Sequence, residues 1–200
     1  IIGFLIACRG AGAVVGFFLA IWVGKADPRI GLTLGFLLQA LSGLLMMQFD
    51  INVTNAEIAV TSLLQGVSVG LIWVPLIVAT FATLDRRFLS ESTAVLHLLR
   101  NLGSSIFIAA SVTVLIRTGQ RSHAQLTEFI TPFNEILKLP ETPSFWSIDN
   151  LTGLAAVGGE IDRQAAMIGY LNAFSLFTLA SLVVLPLIFL VRVPKGGRAA

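Results

Sequence analysis

The stretch Leu84–Ser105, LDRRFLSESTAVLHLLRNLGSS, sets the reading of everything around it. Arg86 and Arg87 mark a water-facing corner. Ser90 or Ser92 then suits the N-cap of a helix, where a side-chain oxygen accepts from the first free N–H groups, and Glu91 suits its positive end. Thr93, His97, Arg100, Asn101, Ser104 and Ser111 recur at spacings of three, four and seven, so they share one helix face. The remaining faces are Leu, Val, Ile, Phe and Ala. Lying between other apolar runs, this is a membrane helix whose polar stripe must face protein or a water-filled cavity.

Composition agrees. Of 200 residues, 56% are hydrophobic and 12% charged, against roughly 45–50% and 25% in soluble domains. Glycine, alanine and serine are plentiful, as close helix packing in lipid requires. The formal net charge is +2 and the basic residues are spread over several loops, which speaks for membrane orientation and against nucleic-acid binding. One cysteine, Cys8, lies in an apolar run, so neither a disulfide framework nor a metal site is expected. His97 and His123 have no ligand cluster near them in sequence. The chain opens inside the apolar run IIGFLIA without signal-peptide anatomy, and it is expected to be a piece of something longer.

Five spans are expected, at about 1–23, 30–49, 57–83, 92–116 and 165–191. Each has about the 20 residues needed to cross ~30 Å of hydrocarbon. Gly12 and Gly16 in the first, and Gly66 and Gly70 in the third, form GxxxG pairs, the pattern of close helix–helix contact. Gln39 sits inside the second span. Pro75, in WVPL, is expected to kink the third, because proline removes a helix hydrogen bond and crowds the preceding turn. Pro186 interrupts the fifth. About 117–163 reads as a long polar connection, within which SHAQLTEFI could continue the fourth helix and Trp146 could anchor at the interface.

Orientation follows from the Lys/Arg distribution. The segments GKADPR, LDRRF and RVPKGGR alternate with the basic-free corner DINVTN and the long connection. Short basic loops lie on the cytoplasmic side, so the first span starts outside and the C-terminus is cytoplasmic.

Charges inside the membrane are the candidates for function, each costing about 2.5–3.5 kcal/mol on insertion scales. Arg9 and Arg100 qualify. Each could snorkel or tie helices together through carbonyls, or could line a cavity with His97, Asn101 and Ser104. All eleven Asp and Glu residues fall in loops or at span ends. His97 is the one candidate within a span for titration near neutrality, with a structural hydrogen bond beside Arg100 as the other reading. Proton-coupling carboxylates are therefore expected outside this sequence. Trp73 and the phenylalanines are expected to pack against lipid or neighbouring helices. No nucleophile–base pair, metal cluster or phosphate loop argues for an enzyme.

Several segments together resemble the C-terminal part of the EmrB/QacA drug:proton antiporters, a fourteen-span family of the major facilitator superfamily, and most resemble its EmrB branch. KADPR resembles the tail of the cytoplasmic motif repeated in each half of these proteins. WVPL followed by LDRRFLSESTAVLHLLRNLGSSI resembles a proline-bearing helix, a cytoplasmic turn and an Arg-x-Leu-Gly helix. SHAQLTEFITPFN resembles the EmrB branch in particular. The match departs at Ala20, where a glycine is expected, and at Asn101, where some relatives carry another polar residue.

The resemblance implies an all-α integral membrane fold, with these spans the last five helices of the second six-helix bundle. The first helix of that bundle and the N-terminal bundle would lie outside this sequence. It implies that Arg9 and Arg100 lie on the pathway, that Lys25, Asp27 and Arg29 hold a cytoplasmic gate, and that the second and fifth spans are peripheral. It further implies export of small lipophilic compounds across the inner membrane against inward proton flow, with no cofactor, by rocking of two bundles. EmrB-like members pair with a periplasmic adaptor joined to an outer-membrane channel, for which the external loop would be the contact, while an adaptor-free exporter would look similar in sequence. The same helices could serve an uptake permease or other solute carrier, or a membrane scaffold that moves no solute.

Overall fold

The computed structural model describes residues 2–24, 27–81, 84–131 and 150–190. These residues form five α-helices and no strand: α1 (Ile2–Gly24), α2 (Pro28–Met46), α3 (Asn55–Phe81), α4 (Leu89–Glu128) and α5 (Leu151–Leu190). All five are long and apolar enough to cross a membrane.

Local chemistry explains where the helices begin. Pro28 occupies the first turn of α2 after an extended Asp27, a position where its missing N–H costs nothing. α3 starts at Asn55, two residues earlier than expected, because Thr54 and Glu57 form a reciprocal capping box. The Thr54 N–H donates to Glu57 Oε2 at 2.8 Å, and the Glu57 N–H donates back to Thr54 Oγ1 at 3.4 Å. The cap expected at Ser90 or Ser92 is not found, since both lie inside α4. A single 3-10 turn, Arg86–Phe88, leads into that helix instead. Asp85 organises the turn, its carbonyl accepting from the Phe88 N–H at 3.0 Å and its carboxylate from the Arg87 N–H at 3.4 Å.

The largest difference from expectation concerns the connection drawn over 117–163. It is helical at both ends, with α4 running on to Glu128 and α5 starting at Leu151. Residues 132–149, including Trp146 and three prolines, lie outside the described residues. At 40 residues each, α4 and α5 are about 60 Å long, twice the ~30 Å of hydrocarbon. Polar residues keep α5 helical before its apolar run. Gln164 donates to Glu160 Oε1 at 2.9 Å, and Arg163 pairs with Glu160 at 3.8 Å, one turn apart in each case.

The described chain divides into two compact units, residues 1–108 with 174–200 and residues 109–173. In the first, the two GxxxG pairs meet each other. A Cβ on Gly70 of α3 would lie 2.6 Å from the Ala13 carbonyl oxygen and from backbone atoms of Gly16 and Phe17 in α1. Gly12 and Gly16 face the backbone of Leu63 and Val67 with no more room, and Gly66 faces Arg9 and Ala13. Ala20, one turn beyond Gly16, is fully buried. α2 packs on α3 by the same device: Pro75, fully buried, sits with its Cγ 2.7 Å from where a Gly31 Cβ would be. Gly35 meets Ile72. Pro75 thus lies within a continuous helix, with its ring serving as the knob for the Gly31 hole. On the far side of α2, Gly43 receives Thr178 and Phe177 of α5, and the Phe49 and Phe174 rings meet edge-on at 6.4 Å.

In the second unit, the C-terminal half of α4 and the N-terminal half of α5 pack against each other. A Cβ on Gly169 would lie 2.8 Å from the Leu115 carbonyl, and Ala165 is buried against Gly119. His123 Nε2 reaches Asp162 Oδ1 at 3.2 Å.

Gly70→Ala in the full-length protein should destabilise it by about 1–3 kcal/mol, because the new methyl meets backbone that cannot yield. Gly10→Ala, whose methyl meets nothing within 4 Å, should leave stability unchanged or slightly raised. Unfolding of the purified protein in denaturing detergent compares the two.

Candidate functional site

Polar side chains inside an apolar helix have few ways to satisfy their hydrogen-bonding groups, and the first is their own backbone. Thr93, Thr113 and Thr127 of α4 each donate to the carbonyl four residues back at 2.7 Å. Ser104 and Ser105 both donate to the Asn101 carbonyl at 2.9 Å. The Ser104 hydroxyl, placed in the cavity by sequence, is therefore already used within its own helix.

The second way is a neighbouring helix. Ser68 of α3, fully buried, donates to Gln39 Oε1 of α2, with the Gln65 carbonyl 2.7 Å away as an alternative acceptor. Ser42 of α2 donates to the Thr61 carbonyl of α3 at 3.3 Å, and Gln65 Nε2 lies 3.9 Å from Met46 Sδ. Sequence marked Gln39 but not its partner Ser68, since nothing in a linear pattern says which of two apolar helices supplies a hydroxyl.

Neither way serves Arg100. It lies 11 residues into α4, about 16 Å from the start of that helix. Its guanidinium carbon sits over the Trp73 ring of α3, 4.5 Å from the centroid, well inside the distance at which a cation is held by an aromatic face. Trp73 is eight residues from the end of α3 at Phe81, so the two side chains stand at similar depth on either side of the Leu84–Phe88 corner. Among the described residues, Arg100 has no carboxylate or other hydrogen-bond partner. Sequence read Trp73 as packing and did not pair it with Arg100, because one helix alone cannot distinguish packing from a cation contact.

The remaining sequence candidates divide. His97 and Asn101 are exposed on α4, within one turn of Arg100, and their side chains have no partner among the described residues. Arg9 is exposed on α1, and its carbonyl, not its guanidinium, is the group pressed against Gly66. Asp27 is exposed at the start of α2, where its side chain makes no cap hydrogen bond. Arg29 is half-buried, with its carbonyl accepting from Thr33 at 2.8 Å. Lys25, the third gate residue, and the basic C-terminal tail lie outside the described residues. Pro75 is buried between α2 and α3.

Five apolar helices with their hydroxyls turned inward onto backbone or neighbouring helices define an all-helical, multi-pass membrane protein. The chain is similar to the multidrug export protein EmrB of Haemophilus influenzae, 27% identical over 179 residues that cover 86% of this chain and 34% of that protein. It is also similar to the fatty acid resistance protein FarB of Neisseria gonorrhoeae, 24% identical over 209 residues, 98% of this chain and 41% of that one. It spans about a third to two-fifths of the length of these relatives. The likeness to EmrB-type proteins read from the sequence motifs is thereby upheld. No protein-family model and no solved structure matches the chain.

A double-mutant cycle on Gln39→Leu and Ser68→Ala, read by unfolding in denaturing detergent, should return a coupling of about 0.6 kcal/mol. Ser68→Ala alone should be the more damaging single change, since it strands the half-buried Gln39 amide.

Proposed function

We propose that this chain is the C-terminal part of a proton-driven exporter of small lipophilic compounds, working by alternating access in the inner membrane with its C-terminus cytoplasmic. The observation that carries the reading is Arg100. A cation about two to three turns inside an apolar span, with no carboxylate partner among the described residues, is costly unless something outside this segment meets it. Relatives named for multidrug export and fatty acid resistance, each far longer than this chain, supply the class of protein in which such a charge is useful.

The division of labour follows from the chemistry present. α1, α2 and α3, locked backbone to backbone, act as a body that moves as one against the remainder of the transporter. Asp27, Arg29 and Lys25 form the cytoplasmic gate. Arg9 and Arg100 line the pathway with His97 and Asn101. The acids that carry the coupled protons reside outside this segment, and no cofactor takes part. The α4–α5 pair, too long for the membrane alone, offers the external surface for a periplasmic adaptor that leads to an outer-membrane channel.

The test is proton-gradient-driven efflux from vesicles holding the full-length protein, using a lipophilic cation and a lipophilic anion as substrates. Arg100→Ala should reduce efflux to background while the protein still inserts and purifies in normal amount. Efflux at the parent rate in that variant rejects the pathway role, and accumulation in the direction of uptake rejects export.

A further inference from the structure

Where α3 ends and α4 begins, the Leu84–Phe88 corner leaves a crevice of about 510 Å³ between the two helices, large enough for a small amphiphile. Its wall is graded. Leu84, Phe88, Val95, Leu96 and Leu99 make the apolar part. The polar side chains that line it, Thr80, Glu91 and Ser92, all lie in the last turn of α3 or the first turn of α4. Glu91, Val95 and Leu99 recur every four residues, so one stripe of α4 passes from charged to apolar over about 12 Å. At the inner end, Trp73, two turns before Thr80, and Arg100, one turn after Leu96, bridge the two helices. Polar at the corner and apolar inward is the profile of one bilayer leaflet and of the molecules that compose it.

The apolar wall cannot choose an occupant, because lipid chains are as apolar as leucine and gain little by exchanging lipid for protein. Selection falls to the charges. Arg87 and Glu91 stand four residues apart with opposite sign, yet they form no ion pair. Arg87 lies over the Phe88 ring, 5.9 Å from its centroid, and among the described residues neither charge has a salt-bridge partner. Asp85 is used in the turn itself, where its carboxylate accepts from the Arg87 N–H. Thr80 spends its hydroxyl proton on the Leu76 carbonyl at 2.8 Å, which leaves the oxygen as an acceptor. The mouth of the crevice thus offers a cation beside a carboxylate and hydroxyl oxygens. That set complements a zwitterion whose phosphodiester meets the guanidinium and whose ammonium has N–H groups to donate. A purely anionic head would meet Glu91 with the wrong sign, and a quaternary ammonium has no N–H to give.

We propose that this crevice binds a bilayer phospholipid with a primary ammonium head. Arg87 takes the phosphate, Glu91 takes the ammonium with Ser92 and Thr80 as further acceptors, and an acyl chain lies along Val95 and Leu99. The lipid fills the gap that side chains leave between α3 and α4. Binding is independent of the direction of transport.

The experiment places the full-length protein in phosphatidylcholine vesicles carrying a trace of photoreactive lipid. Phosphatidylethanolamine, phosphatidylcholine and phosphatidylglycerol analogues are compared, each with the same diazirine-bearing acyl chain, and labelled peptides are read by mass spectrometry. In the parent, residues 84–99 should take about threefold more label from the ethanolamine lipid than from either other one, the scale of an exposed charge pair. Glu91→Gln should bring the ethanolamine lipid down to the choline level. Glu91→Lys, which sets two cations at the mouth, should reverse the order in favour of phosphatidylglycerol. Val95→Trp should lower labelling by all three by filling the crevice. Each variant is first shown to elute from a sizing column as the parent does.

Equal labelling of 84–99 by the three lipids in the parent would overturn the proposal and leave ordinary annular lipid only. Absence of label from 84–99 while other spans are labelled would overturn it as well, with the remainder of the chain as the cover. An order unchanged in Glu91→Lys would reject the headgroup assignment even if the parent prefers the ethanolamine lipid.

Discussion

Lipid supplies no water to a backbone, and helices in it gain little by hiding apolar side chains from an equally apolar solvent. What remains to hold α1 against α3 is close contact, and contact is closest where there is no side chain. Gly12 and Gly16 of one helix meet Leu63, Val67 and Gly70 of the other, and Gly66 and Gly70 meet Arg9, Ala13 and Gly16, so nearly that a single methyl would collide with backbone. α2 is laid on that crossing. α2 adds itself to the opposite side of α3 through Gly31 and Pro75, then Gly35 and Ile72. The second half of α5 adds itself to α2 through Gly43 and Thr178. Each layer repeats the same solution, a small residue on one helix receiving a larger group from the next.

The polar groups obey a parallel rule. Serine and threonine hydroxyls turn back to carbonyls of their own helix, as Thr80 does to Leu76 at 2.8 Å and Thr178 to Phe174 at 2.9 Å. Among the amides, Asn172 also turns back, donating to the Ile168 carbonyl at 2.9 Å, whereas Gln39 accepts from Ser68 of the neighbouring helix. Arginine has more donors than either route can absorb. Its placement over Trp73 is a partial solution that leaves its N–H donors without a hydrogen-bond partner among the described residues. A buried ion pair would have been costly to assemble. An aromatic partner holds the cation in place without neutralising its charge.

Helix length is where expectation and structure part most visibly. Hydropathy falls sharply after Ile116 and before Ala165, and that fall marks where the membrane environment ends, not where the helices end. α4 continues through RTGQRSHAQLTE and α5 begins before GGEIDRQ although Gly119, Gly158 and Gly159 are poor helix formers. The two helices find each other there: Gly169 against Leu115, Ala165 against Gly119, His123 beside Asp162. The same reasoning explains the misplaced cap. Ser90 and Ser92 have the chemistry of caps, but the turn made by Asp85 starts the helix before either is reached.

From the sequence alone came the membrane class, the number of spans, the glycine pairs as contact points and the isolation of Arg100 among apolar residues. All of these rest on composition and on the 3.6-residue period, which are properties of one helix at a time. Tertiary structure decided that Gly12 and Gly16 mate with Gly66 and Gly70, that Pro75 fills the space over Gly31, and that Ser68 answers Gln39. It also turned Trp73 from a packing residue into the seat of Arg100. These facts belong to pairs of helices separated by up to tens of residues in the chain. A helical pattern records which side of each helix seeks a partner, and only the assembled bundle says which partner stands there.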